Sequence, residues 1–242
     1  MSSTKCTRSG KQYNMTHREK VYKQSQTRKP KTKKTTAAQK IINNKVRLKN
    51  EIQAVDVNFC PYDSCFFTLT FADTAPTYDV AKKAFDNFCR RLKRAFPQVK
   101  YCAVYHEGIK SGRAHFHTFI SCKDRVAIES IWGNGGVEMR YLRPDSQRDT
   151  VRYMYNGAKS NANQSLFINS RNLVKAATIE IGDLRYDDLF AILDKMCSDK
   201  VLDYSFGSNS LLGRYITATI DKAEFDYICH KCGMTNPFAD FL

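Results

Sequence analysis

Between residues 65 and 141 the chain alternates short aromatic and β-branched runs with amphipathic stretches. The run Cys65-Phe66-Phe67-Thr68-Leu69-Thr70-Phe71 is bounded by turn formers and predicts a buried strand. From Thr77 to Phe96, the residues Ala81, Ala84, Phe85, Phe88, Leu92, Ala95 and Phe96 recur at steps of three and four. Lys82, Lys83, Arg90, Arg91, Lys93 and Arg94 fall mostly elsewhere, which predicts a helix with a core-facing stripe, ended by Pro97. Residues 99–106 predict a second strand, and a turn from Gly108 to Gly112 leads to a third, Ala114–Cys122. A short helix over Arg125–Trp132, a turn at Gly133-Asn134-Gly135-Gly136 and a strand over Val137–Tyr141 follow. Pro144-Asp145-Ser146 opens a helix running to about Lys159. Further on, residues 183–199 read as helical and Arg214–Ile220 as a strand. The expected fold class is α+β, a central antiparallel sheet flanked by helices.

Charge changes the picture at one end. The net charge is +15 over 242 residues, and residues 1–50 hold 15 of the 39 lysines and arginines with a single acid, Glu19. Residues 1–50 are therefore expected to be a disordered basic arm that binds phosphate backbones, with Lys29, Lys31, Lys33 and Lys34 in its densest part. At most a helical turn or two is expected near Ala37–Leu48. Residues 51–180 are expected to form the functional domain, and residues 181–242 a C-terminal α/β extension packed on it. No apolar run is long enough to predict a membrane-spanning helix, and no apolar stretch near the N-terminus predicts a secretory leader. Nine cysteines scattered through strands and helices suit reduced thiols rather than a disulfide framework. Cys229-His230-Lys231-Cys232 lacks a matching second pair of zinc ligands and reads as a loop with two free thiols.

Candidate chemistry centres on His115-Phe116-His117. Residues two apart share a face of a strand, so both imidazoles point the same way and can grip a divalent cation. An oxygen ligand is expected from Glu107, which the turn would bring beside His115. Its neighbour His106 is the rival, and alternation is expected to turn it away. On the following helix, Val151, Met154 and Ala158 make an apolar stripe, while Arg152, Tyr155 and Lys159 lie beside one another. A tyrosine one turn from a lysine suits a nucleophile, because the cation favours phenolate or holds a phosphate.

Three blocks in this order resemble one family. Phe67-Thr68-Leu69-Thr70-Phe71, then Glu107 with Gly112-Arg113-Ala114-His115-Phe116-His117, then Tyr153 to Lys159 resemble the motifs of the HUH (His-hydrophobic-His) rolling-circle replication initiators. Trp132-Gly133 and Asn169-Ser170-Arg171-Asn172-Leu173 resemble the initiators of small single-stranded DNA phages and related plasmids. The resemblance implies an HUH/RRM-like sheet with Mg²⁺ or Mn²⁺ held by Glu107, His115 and His117. It also implies a tyrosine that nicks single-stranded DNA, leaving a 5′-phosphotyrosine link and a 3′-hydroxyl, and later rejoins the strand. Tyr155 is the preferred nucleophile on its spacing to Lys159, with Tyr153 second; Lys159 assists, and Arg113 and Arg152 contact DNA. Relatives often carry two tyrosines four apart, whereas here they stand two apart. The implied partners are single-stranded origin DNA, a host helicase and a DNA polymerase, in a bacterial cytoplasm or alternatively a eukaryotic nucleus. The alternatives are a non-catalytic RRM-like nucleic-acid binder, a relaxase or single-strand transposase of the same superfamily, and an origin-binding homologue that does not cut.

Overall fold

The computed structural model describes residues 3–9, 12–19, 37–72, 76–108, 113–143, 146–157, 166–181, 184–195, 201–209 and 213–238. The chain is α+β, with two antiparallel five-stranded sheets in two compact units. One unit comprises residues 36–175; the other joins residues 1–35 to residues 176–242. These boundaries differ from the expected division at residues 50 and 180. Two strands of the second unit, β1 (Ser3–Ser9) and β2 (Gln12–Arg18), open the chain.

The unit of residues 36–175 follows the sequence pattern closely. Its elements are α1 (Ala37–Asn58), β3 (Cys65–Thr70), α2 (Tyr78–Ala95), β4 (Tyr101–His106), β5 (His115–Ile120), α3 (Arg125–Trp132), β6 (Val137–Tyr141), α4 (Gln147–Gly157) and β7 (Ile168–Asn169). Its sheet runs in the order β6-β3-β5-β4-β7, so β5 is central and β3 and β4 flank it. On one sheet face Phe67, Leu69, Ala103, Phe116 and Ile120 pack with Ala81, Phe85, Phe88 and Leu92 of α2 and Ile128 and Trp132 of α3. On the other, Phe66, Cys102, Val104 and Phe119 pack with Ile52 and Val55 of α1 and Val151 and Met154 of α4. Burial of each such side chain contributes about 1.5–3 kcal/mol.

Local chemistry ends the elements where the sequence indicates. The Asp124 carboxylate accepts from the Ala127 N–H at 2.9 Å and caps α3, and Gly133 closes that helix in the left-handed region at φ 59°. Gly135 has φ 149°, and a Cβ there would lie 2.3 Å from the Thr70 carbonyl oxygen. Glycine at 135 thus lets the turn before β6 close onto the end of β3.

The other unit was not visible in the pattern. Its sheet has the order β8-β1-β2-β10-β9, adding β8 (Ala177–Ile181), β9 (Val201–Asn209) and β10 (Gly213–Asp221) to β1 and β2. Two helices, α5 (Tyr186–Lys195) and α6 (Lys222–Lys231), supply Leu189, Leu193, Phe225 and Ile228 to its core. The segment expected to be a disordered arm therefore holds two strands and, from Ala37, the start of a 22-residue helix. The reason is local alternation: Cys6 on β1 and Tyr13, Met15 and His17 on β2 are buried, and Tyr13 stacks on Phe225 at 4.3 Å. The lysine-rich stretch with Lys29, Lys31, Lys33 and Lys34 lies outside the described residues. Cys229 is buried within α6 and Cys232 caps that helix, so the CxxC is a helix end rather than a loop. No helix among the described residues is long and apolar enough to cross a membrane.

Candidate metal centre

Antiparallel pairing assembles the site. His106 is directly opposite His115, Thr70 is opposite His115, and Thr68 is opposite His117. Directly opposed residues share a face, so His106, His115, His117, Thr68 and Thr70 all face the α1/α4 layer. The ligand nitrogens of the three histidines lie within 4.8 Å of one another, the one such potential metal-binding group among the described residues. His106 and His117 are buried and His115 is half-buried.

This corrects the expected ligand set. Alternation holds along β4, but the register puts His106, not Glu107, beside His115. Glu107 is exposed and acts on the opposite side, where its charge helps hold the Tyr105 phenol above its ordinary range, after burial. The missing signal was the pairing register of the 106–115 hairpin, which alternation within one strand does not give.

Hydrogen bonds orient each ring. His115 Nδ1 lies 3.0 Å from the Arg113 carbonyl oxygen, which only accepts, so Nδ1 carries the proton and Nε2 presents a lone pair. His106 Nε2 donates to the Met154 carbonyl of α4 at 2.8 Å, leaving Nδ1 as its lone-pair atom. His117 Nδ1 meets the Thr68 hydroxyl at 3.2 Å, and its Nε2 lies 3.2 Å from His115 Nε2. Without an ion, His117 Nε2–H donates to His115 and the Thr68 hydroxyl donates to Nδ1. Rotation of that hydroxyl lets His117 adopt the other tautomer and turn a second lone pair toward the same point. Two nitrogens bound to one first-row cation by bonds of about 2.1 Å stand roughly 3.0–3.4 Å apart, so the 3.2 Å separation fits a shared ion.

Electrostatics keeps the rings neutral. Burial, then repulsion from His106, His115 and Arg140, pushes His117 down to about 3. Burial also lowers His106, against the opposing Met154 carbonyl bond. Neutral imidazole is the form that binds a metal.

The helix α4 brings Tyr153, rather than Tyr155, to the histidines. The Tyr153 ring centroid lies 5.2 Å from that of His117 and 6.4 Å from that of His106, and the side chain is 59% exposed. Tyr155 is half-buried against the cluster of Ile52, Val55 and Met154. Two residues apart on a helix means about 200° of rotation, so one tyrosine faces the cleft and the other does not. Spacing to Lys159 pointed to the other side of the helix, and Lys159 itself lies outside the described residues. Arg113 is exposed beside His115, its carbonyl holding that ring. Arg152 is exposed and pairs with Asp149 at 3.6 Å. Sequence reasoning missed Thr68 as the partner of His117 and the tie from His106 to the residue after Tyr153.

The fold and site define an α+β protein with a tris-imidazole centre on an antiparallel sheet and a solvent-facing tyrosine beside it. Residues 64–160 match the model of the replication-associated protein family of the ORF2 and gene II protein type, which bears out the resemblance carried by the motifs. The match begins one residue before β3 and ends three past α4, enclosing all three histidines and both tyrosines. No curated protein and no solved structure matches the chain significantly.

Proposed function

We propose that this protein initiates rolling-circle DNA replication by nicking and rejoining single-stranded DNA at an origin, with Tyr153 as nucleophile. The observation that carries the reading is the Tyr153 ring set 5.2 Å from His117, within the segment matched by a replication-associated family. The Tyr153 oxygen attacks the scissile phosphorus as the bond to the 3′-oxygen breaks. The phenol gives up its proton, the leaving oxygen gains one, and the products are a 5′-phosphotyrosine and a 3′-hydroxyl. His106, His115 and His117 hold a divalent cation, which when bound polarises the phosphate and stabilises charge on its oxygens. His106 also fixes the Met154 carbonyl and so positions Tyr153. Lys159 remains a candidate to favour phenolate or hold the phosphate. An all-imidazole set suits Mn²⁺ or another first-row ion better than Mg²⁺, which prefers oxygen ligands. Host helicase and polymerase act with the protein, which holds no recognisable nucleotide-binding loop of its own.

The test is covalent capture. Protein incubated with a pool of randomised single-stranded oligonucleotides and Mn²⁺ is expected to give an adduct that survives SDS and is lost with EDTA. Sequencing the captured strands then supplies the cleavage motif. No adduct across the pool with Mn²⁺, Mg²⁺, Co²⁺ and Zn²⁺ contradicts the proposal and favours a binder that does not cut.

A further inference from the structure

A hollow of about 480 Å³ adjoins the histidines and is lined by Thr70, Phe71, Arg113, Gly136, Val137 and Glu138. We propose that it is a specificity pocket that seats one nucleotide of the bound single strand, next to the phosphate at the metal centre. This inference rests on the nicking reading above.

Register places the hollow on the catalytic face. Thr70 lies opposite His115, and its N–H donates to the Gly136 carbonyl at 2.9 Å, so His106, His115, Thr70 and Gly136 form one row across the sheet. The next row is Val104, His117, Thr68 and Glu138. With strands about 4.8 Å apart, residues of β6 and the turn before it stand roughly 10 Å from the histidines on β5. A strand of DNA whose phosphate lies at the histidines therefore passes over this hollow when it continues toward β6.

Two features make the hollow fit a nucleotide. A Cβ on Gly136 would meet no atom within 4 Å, so glycine there leaves open floor that any side chain would fill. Charged groups of opposite sign stand at the rim. Arg113 lies beside His115, where a guanidinium suits a phosphate. Across from it Glu138 takes the Arg140 Nε and Nη2 hydrogens on its Oε1, at 2.9 and 2.8 Å. That two-pronged contact holds the carboxylate in place, and among the described residues no partner occupies Oε2. A carboxylate only accepts hydrogen bonds, so it favours a base with an exocyclic amino group and disfavours thymine; carboxylate to cytosine N4 is an established pairing. Arg140 also places positive charge near His117, on the path the phosphates would follow.

The test measures fluorescence anisotropy with oligo(dC) and oligo(dT) of about fifteen nucleotides, in EDTA, so that no cleavage is involved. The full-length protein is expected to bind oligo(dC) about fivefold more tightly than oligo(dT). Gly136→Val is expected to weaken oligo(dC) binding about tenfold and to erase the preference. Glu138→Gln is expected to leave oligo(dT) binding unchanged and to bring the two affinities within about twofold. Mn²⁺ affinity and melting temperature should stay at wild-type values in both variants. Equal binding of the two oligonucleotides by the wild type overturns the base preference, and a Gly136→Val variant with unaltered affinity and preference overturns the pocket. Loss of binding in Gly136→Val alongside a wild type that forms no covalent adduct supports the pocket and refutes the nicking reaction.

Discussion

The two sheets are built alike and differ in what they hide. Each has five antiparallel strands with helices packed against it. In the unit of residues 36–175 both faces are covered, and the central strand β5 has every residue after His115 buried. Three imidazoles are held there with their lone pairs converging, a costly arrangement unless something fills it. In the other unit the buried histidine, His17, has a single hydrogen bond, Thr4 Oγ1 to Nδ1 at 2.8 Å, and its Nε2 has no partner. Burial lowers His17 as it lowers His106, so a depressed imidazole is common to both units. What distinguishes a candidate metal centre is convergence of several rings oriented through their outer nitrogens, not a shifted titration.

The sharpest way to break the comparison is to remove a converging ring. His117→Ala is expected to lower metal-dependent adduct formation by about a thousandfold or more, read from single-turnover rates. His17→Ala is expected to leave that rate unchanged. A stability pair comes next. Phe225→Ala removes the ring stacked on Tyr13 and should cost the second unit about 3–5 kcal/mol, read by chemical denaturation with Mn²⁺ affinity preserved. Thr68→Val should be milder, raising the Mn²⁺ dissociation constant about tenfold by calorimetry, because the hydroxyl orients His117 without binding the ion.

The smallest expected effect is on pH dependence. The folded-state values of His117 and His106 lie below the unfolded value of about 6.5, so the unfolded chain takes up protons first. Stability is full above about pH 6.5 and falls as pH drops from there toward about 3, the folded value of His117. Melting temperature in EDTA should decline over that window, and His117→Gln should flatten the decline. A decline of equal steepness in that variant would assign the effect to other groups.

Legibility followed the distance between partners in the chain. The helices over Tyr78–Ala95 and Arg125–Trp132 and the strands from Cys65 to Tyr141 were readable because aromatic runs and helical spacing both reported burial locally. The second sheet was not, because β2 pairs with β10 some 200 residues away, as in Asn14 with Thr219, and its core residues sit among lysines and arginines that dominate composition. The site was half legible. His115 and His117 share a face by spacing alone, but His106 enters through hairpin register and Tyr153 through the rotation of α4 against the sheet. Both are tertiary facts, and both went against the expectation drawn from neighbouring residues.

Mass mapping of the covalent adduct, in the wild type and in Tyr153→Phe and Tyr155→Phe, tests the central claim most directly. The account predicts Mn²⁺-dependent attachment of a 5′-phosphate to Tyr153, no adduct in Tyr153→Phe, and an adduct in Tyr155→Phe. An adduct that survives in Tyr153→Phe and vanishes in Tyr155→Phe would contradict it.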